Sequence, residues 1–106
     1  MKKKRIKTIR AGGEDYEIRW DPDGAYLIKF GAEAMADHNS CIIYLHPSLK
    51  GRPLAILKAL FHETFHTIEH VVNEDLDEDT LDRFAKGLAI VLTESGIINP
   101  EDYEFG

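Results

Sequence analysis

The segment "PLAILKALFHETFHTIEHVVN", Pro53 to Asn73, decides how the chain is read, because here the hydrophobic spacing becomes helical. Leu54, Leu57, Phe61, Phe65, Ile68 and Val72 fall within one narrow stripe at 3.6 residues per turn. Pro53 suits the first helical position, where its missing N–H costs nothing. This pattern predicts a helix from Pro53 to about Asn73 that lays the stripe on a core. A second helix is expected from about Asp77 to Ser95. Its inward residues would be Leu81, Phe84, Leu88, Val91 and Leu92, with Gly96 as its stop.

Upstream of Pro53 the spacing is that of strands. "RIKTIRAG" alternates loosely at Ile6 and Ile9, and "EDYEIRW" more cleanly at Tyr16, Ile18 and Trp20. Both read as half-buried strands joined through Gly12-Gly13. "DPDG", Asp21 to Gly24, is a turn with Pro at its second position and Gly at its fourth, so "AYLIKF" is expected to return as a third strand of an antiparallel meander. "ADHNS" reads as a loop, and "CIIYL", Cys41 to Leu45, as a short apolar strand ended by His46-Pro47. The tail "IINPEDYEFG" reads as irregular. The expected fold is α+β, a small antiparallel sheet of three to four strands followed by two packed helices, with residues 1–106 as one domain.

Charge and composition exclude several classes of function. The first ten residues carry Lys2, Lys3, Lys4, Arg5, Lys7 and Arg10 without an acid, a charge of +6. Because the whole chain is −6, the rest carries −12, densest in "NEDLDEDTLD" from Asn73 to Asp82. An acidic body argues against a nucleic-acid-binding face. The longest apolar runs, "CIIYL" and "LAIVL", are too short to cross a membrane. No apolar segment follows the basic start, so a secretory signal is not expected there. Cys41 is the single cysteine, which excludes an internal disulfide and a multi-cysteine zinc cluster. A cytoplasmic location is the plain expectation.

Chemistry concentrates in "HETFH". One helical turn separates His62 from His66, which sets their Cα atoms about 6 Å apart and lets both imidazoles reach one metal ion. Glu63 points further round the same side, within reach of water at the metal but not as a ligand, the place of a general base. His70 lies about 12 Å from His62 along an intact helix, and "TIE" contains no Gly or Pro to break it, so His70 is not expected to be a ligand. A third ligand is expected from the second helix as a carboxylate. Glu78, at the edge of the buried face in its first turn, is the choice. Asp82, one turn on, and Asp79, pointing to solvent, are the alternatives. Two imidazoles and one carboxylate leave a fourth position open for water, the arrangement of a catalytic zinc. An oxyanion formed during hydrolysis wants a further donor, and Tyr44, His46 and His70 are candidates. The "CIIYL" strand is a candidate for pairing with an extended peptide.

The run "CIIYLHPSL…LKALFHETFHTIEH…LDEDTLDRFAKGLAIVL" resembles the minimal zincins of phages and mobile elements related to the ImmA/IrrE metallopeptidase family. The resemblance covers residues 41–93. It implies His62 and His66 as zinc ligands, Glu63 as catalytic acid and base, and an acid near the start of the second helix as third ligand, where Glu78 stands six residues before Phe84. Thr80 departs from the pattern, since that position is acidic in many members. The expected function is a small zinc-dependent metallopeptidase acting on a protein or peptide, in the host cytoplasm if phage-encoded. The alternative is a non-catalytic zinc-stabilised protein of a phage or mobile element that binds a partner protein, the zinc pinning its two helices together.

Overall fold

The computed structural model describes residues 2–106. Six strands and three helices follow in the order β1 (Lys4–Ile6), β2 (Thr8–Ala11), β3 (Glu14–Trp20), α1 (Ala25–Ile28), β4 (Ala34–Asp37), β5 (Ile42–Leu45), α2 (Pro53–Val72), α3 (Glu78–Glu94) and β6 (Tyr103–Phe105). Short 3-10 turns cover Pro47–Leu49 and Pro100–Asp102. The class is α+β, with a four-stranded sheet followed by two helices packed on each other.

β2 and β3 form the expected hairpin, with Ile9 opposite Tyr16. Gly12 and Gly13, at φ of 61° and 81°, supply the two left-handed positions such a tight turn requires. Gly12 also has no room for a side chain, because a Cβ there would sit 2.5 Å from Val71 at the end of α2. The sheet order is β2-β3-β5-β4, so β5 is central and β4 is an edge.

The sheet is mixed, which departs from the expected meander: β3 and β5 run parallel. The cause lies in "DPDGAYLI", which winds into the single helical turn α1 instead of returning as a strand. Asp21 is buried and accepts a hydrogen bond from Leu27 N–H at 3.0 Å, and Asp23 accepts one from Ala25 N–H at 2.9 Å. These side chains give the backbone a local partner that competes with a strand ladder. Within "AYLIKF" only Leu27 is buried, whereas Ile28 and Phe30 are exposed. The chain then crosses over and enters the sheet at β4 from the far side. This puts part of the segment expected to be a loop, Ala36 and Asp37, into a strand that runs antiparallel to β5.

The run read as one first strand divides at Lys7. Its first part, β1, pairs in parallel with β6 from the tail, Lys4 opposite Tyr103 and Ile6 opposite Phe105. Strand partners so far apart along the chain leave no local periodicity to read, so the tail reads as irregular from sequence.

Both long helices occur where expected, yet each is rotated about its axis. On α2 the buried residues are Ile56, Leu57, Leu60, Glu63 and Thr67. Of the expected stripe only Leu57 is buried, and Leu54, Ile68 and Val72 are exposed. The buried face is displaced by about one residue step of roughly 100°. One side of α2 lies against the sheet, where Ile56 and Leu60 join Tyr16, Ile18, Ile43, Leu45 and Leu49 in the core. On α3 the buried residues are Leu81, Ala85 and Ala89, while Phe84 is 65% exposed and Leu88 and Val91 are exposed too. Small alanines face α2 and large apolar residues face outward, the reverse of what hydropathy alone suggests.

Candidate metal centre

Two features of local sequence bring the site together. α2 runs unbroken through "HETFH", so His62 and His66 share one side of it. Asn73, in the left-handed conformation at φ 56°, ends α2, and Asp77 caps α3 by accepting from Thr80 N–H at 3.1 Å. The five residues between the helices, 73–77, then swing Glu78, at the first position of α3, over the two histidines.

Three donor atoms converge. The Nε2 atoms of His62 and His66 are 3.2 Å apart. Glu78 sets Oε1 at 3.0 Å from the first and Oε2 at 3.2 Å from the second. Among the described residues, His62, His66 and Glu78 form a group able to hold a metal ion. Asp79, weighed as an alternative ligand, points away and pairs with Arg83. Asp82, the other alternative, lies behind His62 and not beside the converging atoms.

Behind each imidazole stands a carboxylate. His62 Nδ1–H donates to Asp82 Oδ1 at 2.8 Å, and His66 Nδ1–H donates to Glu69 Oε1 at 2.7 Å. Lys86, 2.7 Å from Asp82, lowers the carboxyl pKa of that residue, opposed by burial and helped by His62. Leu76 N–H, 2.5 Å from Glu69 Oε2, lowers that of Glu69, again opposed by burial and helped by His66. Both carboxylates therefore stay ionised, and an ionised carboxylate only accepts. The proton of each neutral ring must then sit on Nδ1, which leaves both Nε2 lone pairs facing each other and Glu78.

Such a cluster of lone pairs wants a cation at its centre, or a proton on one ring. Burial lowers the pKa of His66, but the bond to Glu69 and the charges of Glu63, Glu78 and Glu69 outweigh burial and raise it. The donor set also has the dimensions of a small tetrahedral ion. Bonds of roughly 2.0–2.1 Å to zinc imply donor separations of about 3.3–3.4 Å, within a few tenths of those found. Outer carboxylates that fix the tautomer and aim of ligand histidines are the usual support of such a centre.

Glu63 occupies the buried face of α2 and is 7% exposed. Its Oε1 accepts from Ala36 N–H of β4 at 3.0 Å, and Oε2 has no protein partner among the described residues. Burial raises its pKa, against the lowering effect of His62, His66 and the Ala36 N–H. The Ala36 bond also orients the sheet edge. Ala36 N–H points away from β5, so the unpaired side of β4 faces the site. Between them lies a cleft of about 580 Å³ lined by Ala36, His38, His62, Glu63, His66 and Glu78 among others.

The remaining sequence candidates do not join the donor set, although His70 lines the same cleft. His70 is not near the three donor atoms in the way a ligand must be; its ring stacks on that of His38, centroids 4.7 Å apart and planes within 6°. Tyr44 packs on Tyr26, and His46 Nδ1 accepts from Ser48 N–H at 3.0 Å, where it caps the 3-10 turn. "CIIYL" is flanked by β3 and β4 and has no free edge for a peptide. Three contributors went unread in the sequence. Glu69 carried a signal, since it lies one turn after His66 on the same side of the helix. His38 and the Ala36 N–H carried none, because the crossover through α1 brings them in.

Among the described residues no helix is long and apolar enough to cross a membrane. Compared with protein-family models, curated proteins and solved structures, the chain matches none.

Proposed function

We propose that this protein is a small zinc-dependent metallopeptidase that binds an extended peptide along β4 and hydrolyses it beside α2. The observation that carries the reading is the buried carboxylate of Glu63, set next to three converging metal donors at the floor of an open cleft. A purely structural centre needs neither the buried acid nor the cleft. The likeness of residues 41–93 to the ImmA/IrrE-related zincins supports the same reading, with a phage or mobile element as source and the host cytoplasm as place of action.

His62, His66 and Glu78 would hold the zinc, with Asp82 and Glu69 keeping the two rings in register. Bound zinc supplies Lewis acidity, which polarises a carbonyl and eases deprotonation of water. The outward backbone groups of β4, apart from the Ala36 N–H held by Glu63, are offered to a peptide strand and orient the scissile bond over Glu63. Glu63 receives the proton of the attacking water at Oε2, while the Ala36 N–H holds Oε1 in place. Its raised pKa makes it a stronger base than an exposed glutamate. The same carboxyl group then returns the proton to the leaving nitrogen.

Zinc-loaded protein incubated with a proteome-derived peptide library, read by mass spectrometry, tests the reading. Wild type should cleave a subset of peptides and Glu63→Gln none, with zinc retained in both. An intact library with wild type, or equal cleavage by the variant, would overturn it.

One observation favours the non-catalytic alternative. Phe84, Leu88 and Val91 form an exposed apolar surface on α3, next to Phe65 of α2. A zinc that staples Glu78 to the two histidines would steady that surface for a partner protein. Zinc-dependent gain in Tm without hydrolysis of any peptide would select this reading.

A further inference from the structure

The centre described above contains a base and metal donors, but hydrolysis also develops negative charge on the carbonyl oxygen, and a fixed hydrogen-bond donor aimed there is a large catalytic contribution. Tyr44 and His46 are committed elsewhere. The cleft wall opposite α2 carries a different group. His38, from the turn between β4 and β5, lines the same cleft as His62, Glu63, His66 and Glu78.

The ring of His38 is fixed from two sides. Its Nδ1 lies 3.0 Å from the hydroxyl of Tyr16, and its face is stacked on His70. Tyr16 also meets the His38 ring edge-on, with centroids 5.9 Å apart. Nδ1 is thereby engaged, and Nε2 has no protein partner among the described residues.

Tyr16 decides the tautomer. It is 3% exposed, and burial, followed by Cys41 and Glu14, raises its pKa, so the phenol keeps its proton. That proton needs an acceptor, since a buried hydroxyl left without one costs about 1–3 kcal/mol. His38 Nδ1 is the hydrogen-bond partner the structure gives it. Were Tyr16 to accept from Nδ1–H instead, its own proton would be stranded. Tyr16 therefore donates to Nδ1, and the ring proton of neutral His38 sits on Nε2, which is left free for a ligand in the cleft that His38 lines. Burial, then His70 and His66, lowers the His38 pKa and keeps the ring neutral.

We propose that His38 is a further catalytic residue, donating a hydrogen bond from Nε2–H to the scissile carbonyl oxygen as it becomes an oxyanion, with Tyr16 and His70 as the positioning residues that set its tautomer and its plane. This assignment rests on the hydrolytic reading. No proton leaves His38 in the step; the bond strengthens as charge grows on oxygen and relaxes when the carbonyl reforms.

Two measurements on the full chain test it. The first needs no turnover: long-range proton–nitrogen correlation spectra of the metal-free protein, labelled on histidine. His38 should carry its proton on Nε2 in wild type, and Tyr16→Phe should release that preference. A proton on Nδ1 in wild type overturns the proposal. The second uses the zinc-loaded protein and the most rapidly cleaved member of a quenched-fluorescence peptide library. His38→Phe, which keeps a ring against His70, should lower kcat by about 10²–10³-fold with KM and zinc content unchanged. His38→Gln, which restores an N–H, should recover part of the loss. Unchanged kcat in His38→Phe, in a wild type that does cleave, overturns this assignment alone. A zinc-loaded wild type that cleaves no member overturns the hydrolytic reading, and this assignment with it.

Discussion

His62 and His66 bring their Nε2 atoms to 3.2 Å while each turns Nδ1 to a different carboxylate, Asp82 for the first and Glu69 for the second. The two outer acids come from different helices. Glu69 lies on α2 itself, whereas Asp82 lies on α3, as does Glu78. The position of α3 therefore fixes one ring and supplies one ligand, and the donor set is complete only when the two helices are packed.

Metal content should follow the converging atoms and not the count of histidines. We expect about one zinc per chain in wild type, by elemental mass spectrometry after reconstitution. His66→Ala and Glu78→Ala should lose it. His70→Ala should keep it, because His70 stacks on His38 and offers no atom to the cluster.

Asp82→Asn and Glu69→Gln should each weaken zinc binding by about 10–100-fold without abolishing it, as measured by competition with a chromophoric chelator. The amides keep the size of the acid but hold the imidazole proton less firmly. Stability of the metal-free protein should follow the same two groups. Their folded pKa values lie below the ordinary ones, so their contribution is present above the ordinary carboxylate range and fades as pH falls through the depressed values. Acid unfolding should consequently be shallower in the double variant.

Glu63→Gln should separate activity from stability. The folded pKa of Glu63 is raised by burial, so its contribution to stability is full below its unfolded pKa and is lost as pH rises through the folded value. As pH rises above that unfolded value, this group therefore makes the metal-free wild type progressively less stable. The glutamine variant can still accept from Ala36 N–H. It should gain about 1 kcal/mol, or ~4–8 °C in Tm, at pH 7–8 and much less near pH 4, while losing all hydrolysis. Equal Tm for the two proteins across that range would contradict the buried-charge account.

Core truncations should follow the observed helix rotation. Leu81, on the inner face of α3, is fully buried, so Leu81→Ala should cost about 2–5 kcal/mol in urea unfolding. Phe84→Ala removes a larger side chain but an exposed one, and should cost less than about 1 kcal/mol. The stripe read from hydropathy would predict comparable, large losses for both.

How far the sequence carries is clearest at α2. Its ends, its length and the i, i+4 placement of His62 and His66 are local matters of capping and helical period, and all were legible. The face it buries was not. Glu63 and Thr67 lie inward because each finds a polar partner there, Glu63 accepting from Ala36 N–H and Thr67 Oγ1 donating to Glu63 O at 3.0 Å. A hydropathy stripe passes over such positions. For the same reason it placed Phe65 and Phe84 toward a core that Ala85 and Ala89 occupy.

By itself the sequence determined the α+β order, the hairpin through Gly12-Gly13, the two long helices, and which residue types gather at His62, Glu63, His66 and Glu78. Each of these depends on interactions within a few residues or on one helical turn, and such interactions are written in spacing. Only the tertiary structure decided the parallel pairing of β3 with β5, the edge position of β4, the carboxylates behind each imidazole, and the arrival of His38 beside the site. Those depend on where the α1 crossover and the 73–77 connection deliver distant segments. No local pattern encodes that, because it is set by the packing of one layer on another.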